Sequence, residues 1–507
     1  MLAKLISAAV IGLEARPIEI EVDISRGLPG FSIVGLPDKA IEESKERIRS
    51  AILNSGGNFP DRKIIVNLAP ADLKKEGPAY DLPIALGILL ASSQICFDSS
   101  KTLFLGELAL DGKLRHVKGV LPIILMAKKE GFEKIFLPAS NLLEAKTIEG
   151  LNLYPLNSLE EAIFHFRNEK IITPIKSGLD FDFNQQLPSY SYDMAYIKGQ
   201  EHAKRALEIA AAGGHNILLI GSPGAGKTLL ARTLPSILPK LTLDEAIEIT
   251  KIYSVAGLLS HDQSLILERP FRAPHHTSSD IALVGGGTWP KPGEISLAHK
   301  GVLFLDELPE FPRSVLEALR QPLEDGIITI SRATGSLTFP ASFILVAASN
   351  PCPCGFLFDP VKECRCSSSQ IAKYQKKLSG PLLDRIDLYV EVPPVKYEKL
   401  VQEELAESSE VIRERVQKAR DFQTKRFKNE RITTNSEMGV KEIKKYCQLD
   451  EECKKLLQSA IESLHLSARV FHRIIKISRT IADLSGEEKI KPDHIAEALS
   501  YRPKEQF

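Results

Sequence analysis

Four apolar residues, Ile217-Leu-Leu-Ile220, run directly into Gly221-Ser-Pro-Gly-Ala-Gly-Lys-Thr228, and Leu229-Leu-Ala-Arg-Thr-Leu234 follows. The apolar run is short enough for a strand buried on both faces, as in a parallel sheet. The glycine stretch fits G-x-x-x-x-G-K-[ST], and the segment after it reads as a helix. Strand, glycine loop and helix in that order constrain the fold to an α/β core with a phosphate-binding loop. Gly221, Ser222, Pro223, Gly224, Ala225 and Gly226 supply backbone N–H groups that close around phosphates, aided by the positive end of the helix. Lys227 is expected to reach the outer phosphates and the Thr228 hydroxyl to hold Mg²⁺, which makes ATP or a close relative the expected ligand.

The remaining motifs ask whether that nucleotide is hydrolysed. Gly301-Val-Leu-Phe-Leu-Asp-Glu-Leu308 is a second apolar strand ending in two carboxylates. Asp306 is expected on the Mg²⁺ water shell, and Glu307 to orient or deprotonate the attacking water. A third strand, Phe343-Ile-Leu-Val-Ala-Ala-Ser-Asn350, ends in an amide that can place the lytic water; a plain strand-end Asn opening a turn before Pro351 is the competing reading.

At 507 residues the chain has room for two to four domains. Its formal net charge is zero, which removes any whole-protein argument for attraction to nucleic acid or membrane and leaves only a local basic lining. No apolar run is long enough to span a bilayer, and Met1 to Val10 is too short and too soon polar for a secretory signal. Of seven cysteines, four cluster as Cys352-Pro-Cys354 and Cys364-Arg-Cys366, which suggests a metal site in a reducing cytoplasm rather than a disulfide framework. Four thiolates at this spacing can surround one structural Zn²⁺; free thiols in a polar loop are the alternative. Cys96, Cys447 and Cys453 read as scattered thiols.

Before the loop, residues 1–170 alternate strands and helices: a strand at Ile18–Ile24, an N-cap at Asp38, a helix from Ala40 to Asn54, a strand at Lys63–Leu68 and a buried helix from Leu82 to Ser92. Two segments here, Lys74-Lys-Glu-Gly-Pro-Ala-Tyr-Asp-Leu-Pro-Ile-Ala-Leu86 and Leu110 to Ile123 with Lys134-Ile-Phe-Leu-Pro138, resemble the proteolytic domain of Lon protease. Ala79 stands where that resemblance puts the catalytic serine and Ala127 where it puts the lysine. Without a hydroxyl nucleophile and an amine to activate it, a Ser/Lys mechanism has no chemistry. The expected module is therefore a Lon-protease-like α+β domain without peptidase activity. Residues 171–192, rich in Pro, Ser, Asp and Gln, read as a linker.

Residues 193–395 are expected to form the ATPase core and 396–507 a C-terminal helical lid. Ile197-Lys-Gly-Gln-Glu-His-Ala-Lys-Arg-Ala-Leu207 resembles the entry of AAA+ ATPases, with Ile197 and Gly199 flanking the adenine. Ser379-Gly-Pro-Leu-Leu-Asp-Arg-Ile-Asp-Leu388 resembles the arginine-finger segment of the magnesium-chelatase and minichromosome-maintenance branch, which implies that Arg385 reaches a neighbouring subunit's nucleotide; the alternative is a surface pair of Arg385 with Asp384 or Asp387. Phe271 to Asp280 with Leu283 to Leu297, and the hairpin expected over Asp325 to Phe339, look like that branch's pore inserts. On that resemblance His275, His276, Trp289, Lys291 and Arg332 are candidate DNA contacts, by phosphate contact and stacking; packing of Trp289 in a hinge and backbone bonds from the histidines are the alternative. Leu466 to Leu484 looks like the sensor 2 helix, with Arg469 reaching the γ-phosphate and Arg473 and Arg479 on the lid surface or an interface.

Taken together, the domain order and motifs resemble the ComM/YifB family. The resemblance implies a hexameric, ATP- and Mg²⁺-dependent motor that migrates DNA branches in recombination and natural transformation, with branched or single-stranded DNA and recombination proteins as partners, in the cytoplasm and away from membrane. A chelatase-like or chaperone-like remodeller of protein partners is the other reading.

Overall fold

The computed structural model describes residues 2–178, 183, 190–260, 262–287, 290–332, 335–357, 359, 362–378, 380–395, 405–464 and 467–502. The chain divides into two compact units, Met1–Gln186 with Ala246–Ile266, and Leu187–Glu245 with Leu267–Phe507. Most of the residues expected to form the ATPase core thus fall in one unit with those expected to form the lid. Ala246–Ile266, placed in the core by its position in the chain, belongs to the first unit.

In the first unit an eight-stranded mixed sheet runs in the order Ile175–Lys176, Asn152–Leu156, Lys134–Pro138, Thr102–Phe104, Leu2–Ile11, Glu14–Ser25, Lys63–Ala69, Gly30–Val34. Its centre is the antiparallel hairpin of Leu2–Ile11 and Glu14–Ser25, turned at Gly12 with φ 63°. Ile18, Ile20, Val22 and Ile24 alternate inward along the second strand, the period-2 pattern of a sheet with one face on the core. Helix Lys39–Asn54 starts where Asp38 accepts from the Ile41 N–H at 2.9 Å, as its sequence predicts. Helix Asp81–Ala91 is buried nearly throughout. Ala127 lies in the buried part of helix Val120–Lys129, and both it and Ala79 pack on one apolar cluster. Ile247 packs on the same cluster, Ser254 Oγ bonds Glu144, and Thr147 Oγ1 donates to the Ser264 carbonyl at 3.2 Å, which ties 246–266 into this unit.

The second unit is built on a five-stranded sheet in the order Phe271–Arg272, Val302–Leu305, Ile344–Ser349, Ile217–Ile220, Leu388–Glu391, every pair parallel. All residues of the three middle strands are buried. The strand before the glycine loop therefore sits between the last strand and the Ile344–Ser349 strand, where the chain order of the sheet reverses. Open α/β sheets bind ligands off the carboxyl ends of their strands at such a reversal. Among the described residues the hairpin expected over 325–339 forms, as Ile327–Arg332 against Gly335–Pro340, and Gly285–Gly286 pairs with Lys291–Pro292. The lid comprises Ser409–Arg426, Val440–Tyr446, Glu451–Leu464, Ala468–Leu484 and Pro492–Ser500.

One expectation for the lid is corrected. Of the two places expected for Arg473 and Arg479, the lid surface or an interface, the exposed surface is excluded, since both are buried. Helix Ala468–Leu484 runs through the middle of the lid, packed against Glu201–Gly213, Ser409–Arg426 and Pro492–Ser500. Arg479 bonds Asp483 and donates to the carbonyls of Glu487 and Glu488, so its charge is paired and its donors are used inside the protein.

Candidate active site

The glycine loop bends where its sequence demands: Gly224 and Gly226 have φ of 81° and 91°, open to glycine and strained for other residues. Helix Lys227–Ile237 begins at once, and its Gly226 carbonyl accepts from the Leu230 N–H at 3.0 Å. Lys227 is 8% exposed and its Nζ donates to the carbonyls of Gly221 at 2.6 Å and Ser222 at 3.0 Å, and to Asn350 Oδ1 at 3.1 Å. Those three acceptors match the three hydrogens of an ammonium. Burial draws its pKa below the ordinary range, and the Asp306 and Glu307 carboxylates oppose that shift. The structure thus joins the loop lysine and Asn350, which are far apart in the chain.

Thr228 Oγ1 donates to Asp306 Oδ2 at 2.8 Å. Hydroxyl and carboxylate oxygens converging at the mouth of the loop are hard donors of the kind Mg²⁺ takes. Glu307 follows with φ 51°, its N–H donating to Asp306 Oδ1 at 3.0 Å. Its carboxylate faces His276, whose Nδ1 lies 3.7 Å from Glu307 Oε2. His276, expected on nucleic acid, stands here beside the carboxylate assigned to water activation. His275 is exposed and bonds Thr277 Oγ1 at 2.8 Å, and Lys291 is exposed. Trp289 and the Arg332 side chain lie outside the described residues.

Arg385 donates to the Pro381 carbonyl at 2.6 Å and pairs with Glu324. Neither aspartate flanking it in sequence is its partner: Asp384 binds Arg469 at 2.6 Å and Asp387 binds the His215 ring at 3.2 Å. Within this chain, then, Arg469 is held by Asp384, and Arg473 donates to the Asp384 carbonyl at 2.6 Å.

Sequence reasoning missed the residues that align these strands. His215 is fully buried, with Nδ1 on Asp387 and Nε2 2.8 Å from Thr480 Oγ1 of the lid. Asn216 accepts from the Leu345 N–H at 2.8 Å and donates to the Arg385 carbonyl at 2.9 Å, while its own carbonyl accepts from Asp387 and Leu388. Two polar residues opening an otherwise apolar strand were the available signal. A cavity of about 340 Å³ beside Gly221 and Ser222 is bounded by His202, Val392, Pro393 and Arg502. Cys352, Cys354, Cys364 and Cys366 bring their sulfurs within 4.8 Å of one another.

A parallel sheet with a phosphate loop at its reversal point, a lysine–amide bond beneath it and two carboxylates at the end of the strand two places along define an AAA+ nucleotide-hydrolase module with a helical lid. Residues 193–400 match the family model for magnesium chelatase, subunit ChlI, residues 20–141 that for subunit ChlI of Mg-chelatase, and residues 406–502 the ChlI C-terminal model. The chain is 47% identical over 511 residues to the competence protein ComM of Haemophilus influenzae, covering 99% of this chain and 97% of that one. It is 43% identical over 498 residues to YifB of Escherichia coli, covering 97% and 96%. It belongs to the ComM/YifB family of magnesium-chelatase-like AAA+ proteins. A shorter likeness, 28% over 164 residues and 31% of this chain, is to the Lon protease of Leptospira interrogans. Among the described residues no helix is long and apolar enough to cross a membrane.

Proposed function

We propose that the chain is a hexameric DNA motor that couples ATP hydrolysis to branch migration in recombination and natural transformation. The observation that carries the ATPase part is the convergence of Lys227, Thr228, Asp306, Glu307 and Asn350 at one end of the sheet. Lys227 exchanges its carbonyl partners for the outer phosphates, and the loop N–H groups bind the rest of the triphosphate. Thr228 and Asp306 would hold Mg²⁺, which would supply positive charge against the charge that builds on the phosphates. Glu307 takes the proton of the attacking water, and Asn350 orients that water. Arg385 gives up Glu324 and reaches the nucleotide of the neighbouring subunit, a contribution of about 10³–10⁵ in rate. Arg469 leaves Asp384 for the γ-phosphate as the lid closes.

The DNA part rests on likeness to a competence protein and on the two inserts, the first of which carries His275 and Lys291 at exposed positions. With no net charge on the chain, affinity for DNA comes from these local contacts and falls steeply with salt. The test is ATPase activity of the purified protein with and without forked DNA or Holliday junctions, beside Lys227→Ala and Glu307→Gln. Stimulation by DNA and strand displacement, both lost in the two variants, are expected. Hydrolysis indifferent to DNA and raised by a protein partner would favour a remodeller.

A further inference from the structure

Cys352 and Cys354 follow Asn350 at the end of the central strand, and Cys364 and Cys366 close the excursion. Cys352 is fully buried. The Sγ atoms of Cys352, Cys354 and Cys364 lie 3.4, 3.7 and 3.6 Å apart, and Cys366 joins them within 4.8 Å. Disulfide sulfurs sit about 2.05 Å apart, and all four cysteines are free. A tetrahedral ZnS₄ centre with bonds of about 2.3 Å has sulfur–sulfur edges of about 3.8 Å, so three of the sulfurs already stand near the spacing of one face. Four protein thiolates leave no open position, which is the arrangement of a structural zinc.

What the cluster fixes lies beside the nucleotide site. Gly355 forms a turn on Cys352, its N–H donating to the Cys352 carbonyl at 3.0 Å, with φ 85°. A Cβ placed on Gly355 would fall 2.5 Å from Cδ and 2.7 Å from Cγ of Pro223, and 3.8 Å from Cγ of Asn350. The backbone of the cysteine turn therefore lies directly on the phosphate loop and against the amide that accepts from Lys227. On the other side, Ser367 caps helix Ser368–Gln375 with a capping box, anchoring the Cys364–Cys366 arm.

We propose that Cys352, Cys354, Cys364 and Cys366 hold one structural Zn²⁺, and that the turn it fixes, pressing through Gly355 on Pro223 and Asn350, sets the shape of the phosphate loop so that nucleotide affinity depends on the metal. This rests on reading Gly221–Thr228 as the nucleotide site. Losing the metal frees a long loop whose ordering entropy must then be met without a crosslink, and the contact on Pro223 loosens.

The test uses the full chain purified under reducing conditions, with zinc measured by mass spectrometry and affinity by titration of a fluorescent ATP analogue. About one zinc per chain is expected. Chelation, or Cys364→Ser, is expected to remove it and weaken the analogue about tenfold or more, with zinc restoring the chelated protein. Gly355→Val is expected to keep its zinc and still lose affinity, which separates the contact from the metal. Zinc well below one equivalent in unoxidised protein overturns the site. Unchanged affinity in metal-free protein of unaltered circular dichroism, or in zinc-loaded Gly355→Val, overturns the coupling. If zinc-loaded parent protein binds no analogue, the reading of the phosphate loop fails instead.

Discussion

Asn216 ties the strand before the glycine loop to the Ile344–Ser349 strand on one side and to the turn entering Leu388–Glu391 on the other. Its Oδ1 satisfies the N–H of fully buried Leu345, and its Nδ2 satisfies the carbonyl of Arg385. Asn216→Ala removes both partners and leaves two backbone groups unpaired at the base of the sheet. Each costs about 1–3 kcal/mol when buried; allowing for the smaller side chain and water entry at the partly exposed end, the loss is about 2–4 kcal/mol. For a unit of this size that corresponds to roughly 4–8 °C in Tm. The same change releases the carbonyl that anchors Arg385, whereas the glycine loop beyond Ile220 keeps its contacts to Lys227. The expected outcome is a lowered Tm by scanning fluorimetry, an analogue Kd changed by no more than about threefold, and a kcat reduced about tenfold or more because the arginine is misplaced. A Tm within about 1 °C of the parent, with undiminished kcat, would refute the reasoning.

Arg385→Ala is expected to bind nucleotide normally and lose about 10³ in ATPase; mixing it with Lys227→Ala should restore part of the rate, because mixed rings contain seams with an intact loop and an intact arginine. Parent-like turnover by Arg385→Ala alone would exclude the finger. His276→Ala, by releasing the Glu307 carboxylate 3.7 Å away, is expected to change kcat about fivefold while leaving the analogue Kd in place; a change in Kd alone would count against it. In the first unit Asp81 is buried beside Arg47 at 3.0 Å, and burial, opposed by that guanidinium, pushes its carboxyl up to about 6. A folded pKa above the unfolded one means that protonation favours the fold. The stability linked to Asp81 is therefore gained as pH falls through 6 and lost as it rises. Relative to Asp81→Asn, the parent should gain on the order of 1 kcal/mol between pH 7.5 and 5.0, read from hydrogen exchange over residues 81–108; a flat or opposite difference rejects the shift.

The strands ending at Ile220, Leu305 and Ser349 were legible because a parallel strand covered on both faces must be apolar along its length. The loop between Gly221 and Thr228 was legible because glycines at positive φ and a lysine at fixed spacing are local requirements. The helix start at Asp38 was equally local, since a cap is a bond between neighbours. Likewise Cys352 to Cys366 announced themselves by spacing alone.

Pairings across the chain were not legible. Arg385 stands next to two aspartates in sequence and takes neither, because the turn at Pro381–Ile386 aims it at Glu324 while His215 and Arg469 claim the aspartates. Arg473 and Arg479 are charged residues on a helix and read as lid surface or interface, yet they are buried because their helix runs through the lid and their charges meet internal partners. The approach of Gly355 to Pro223 and of His276 to Glu307 likewise depends on where distant loops are carried. Backbone conformation and burial periodicity are set by residues within a few positions of one another, so the sequence by itself determined the elements and the motif they carry. Which side chain meets which charge is set by the order in which strands assemble into the sheet, and only the tertiary structure decided that.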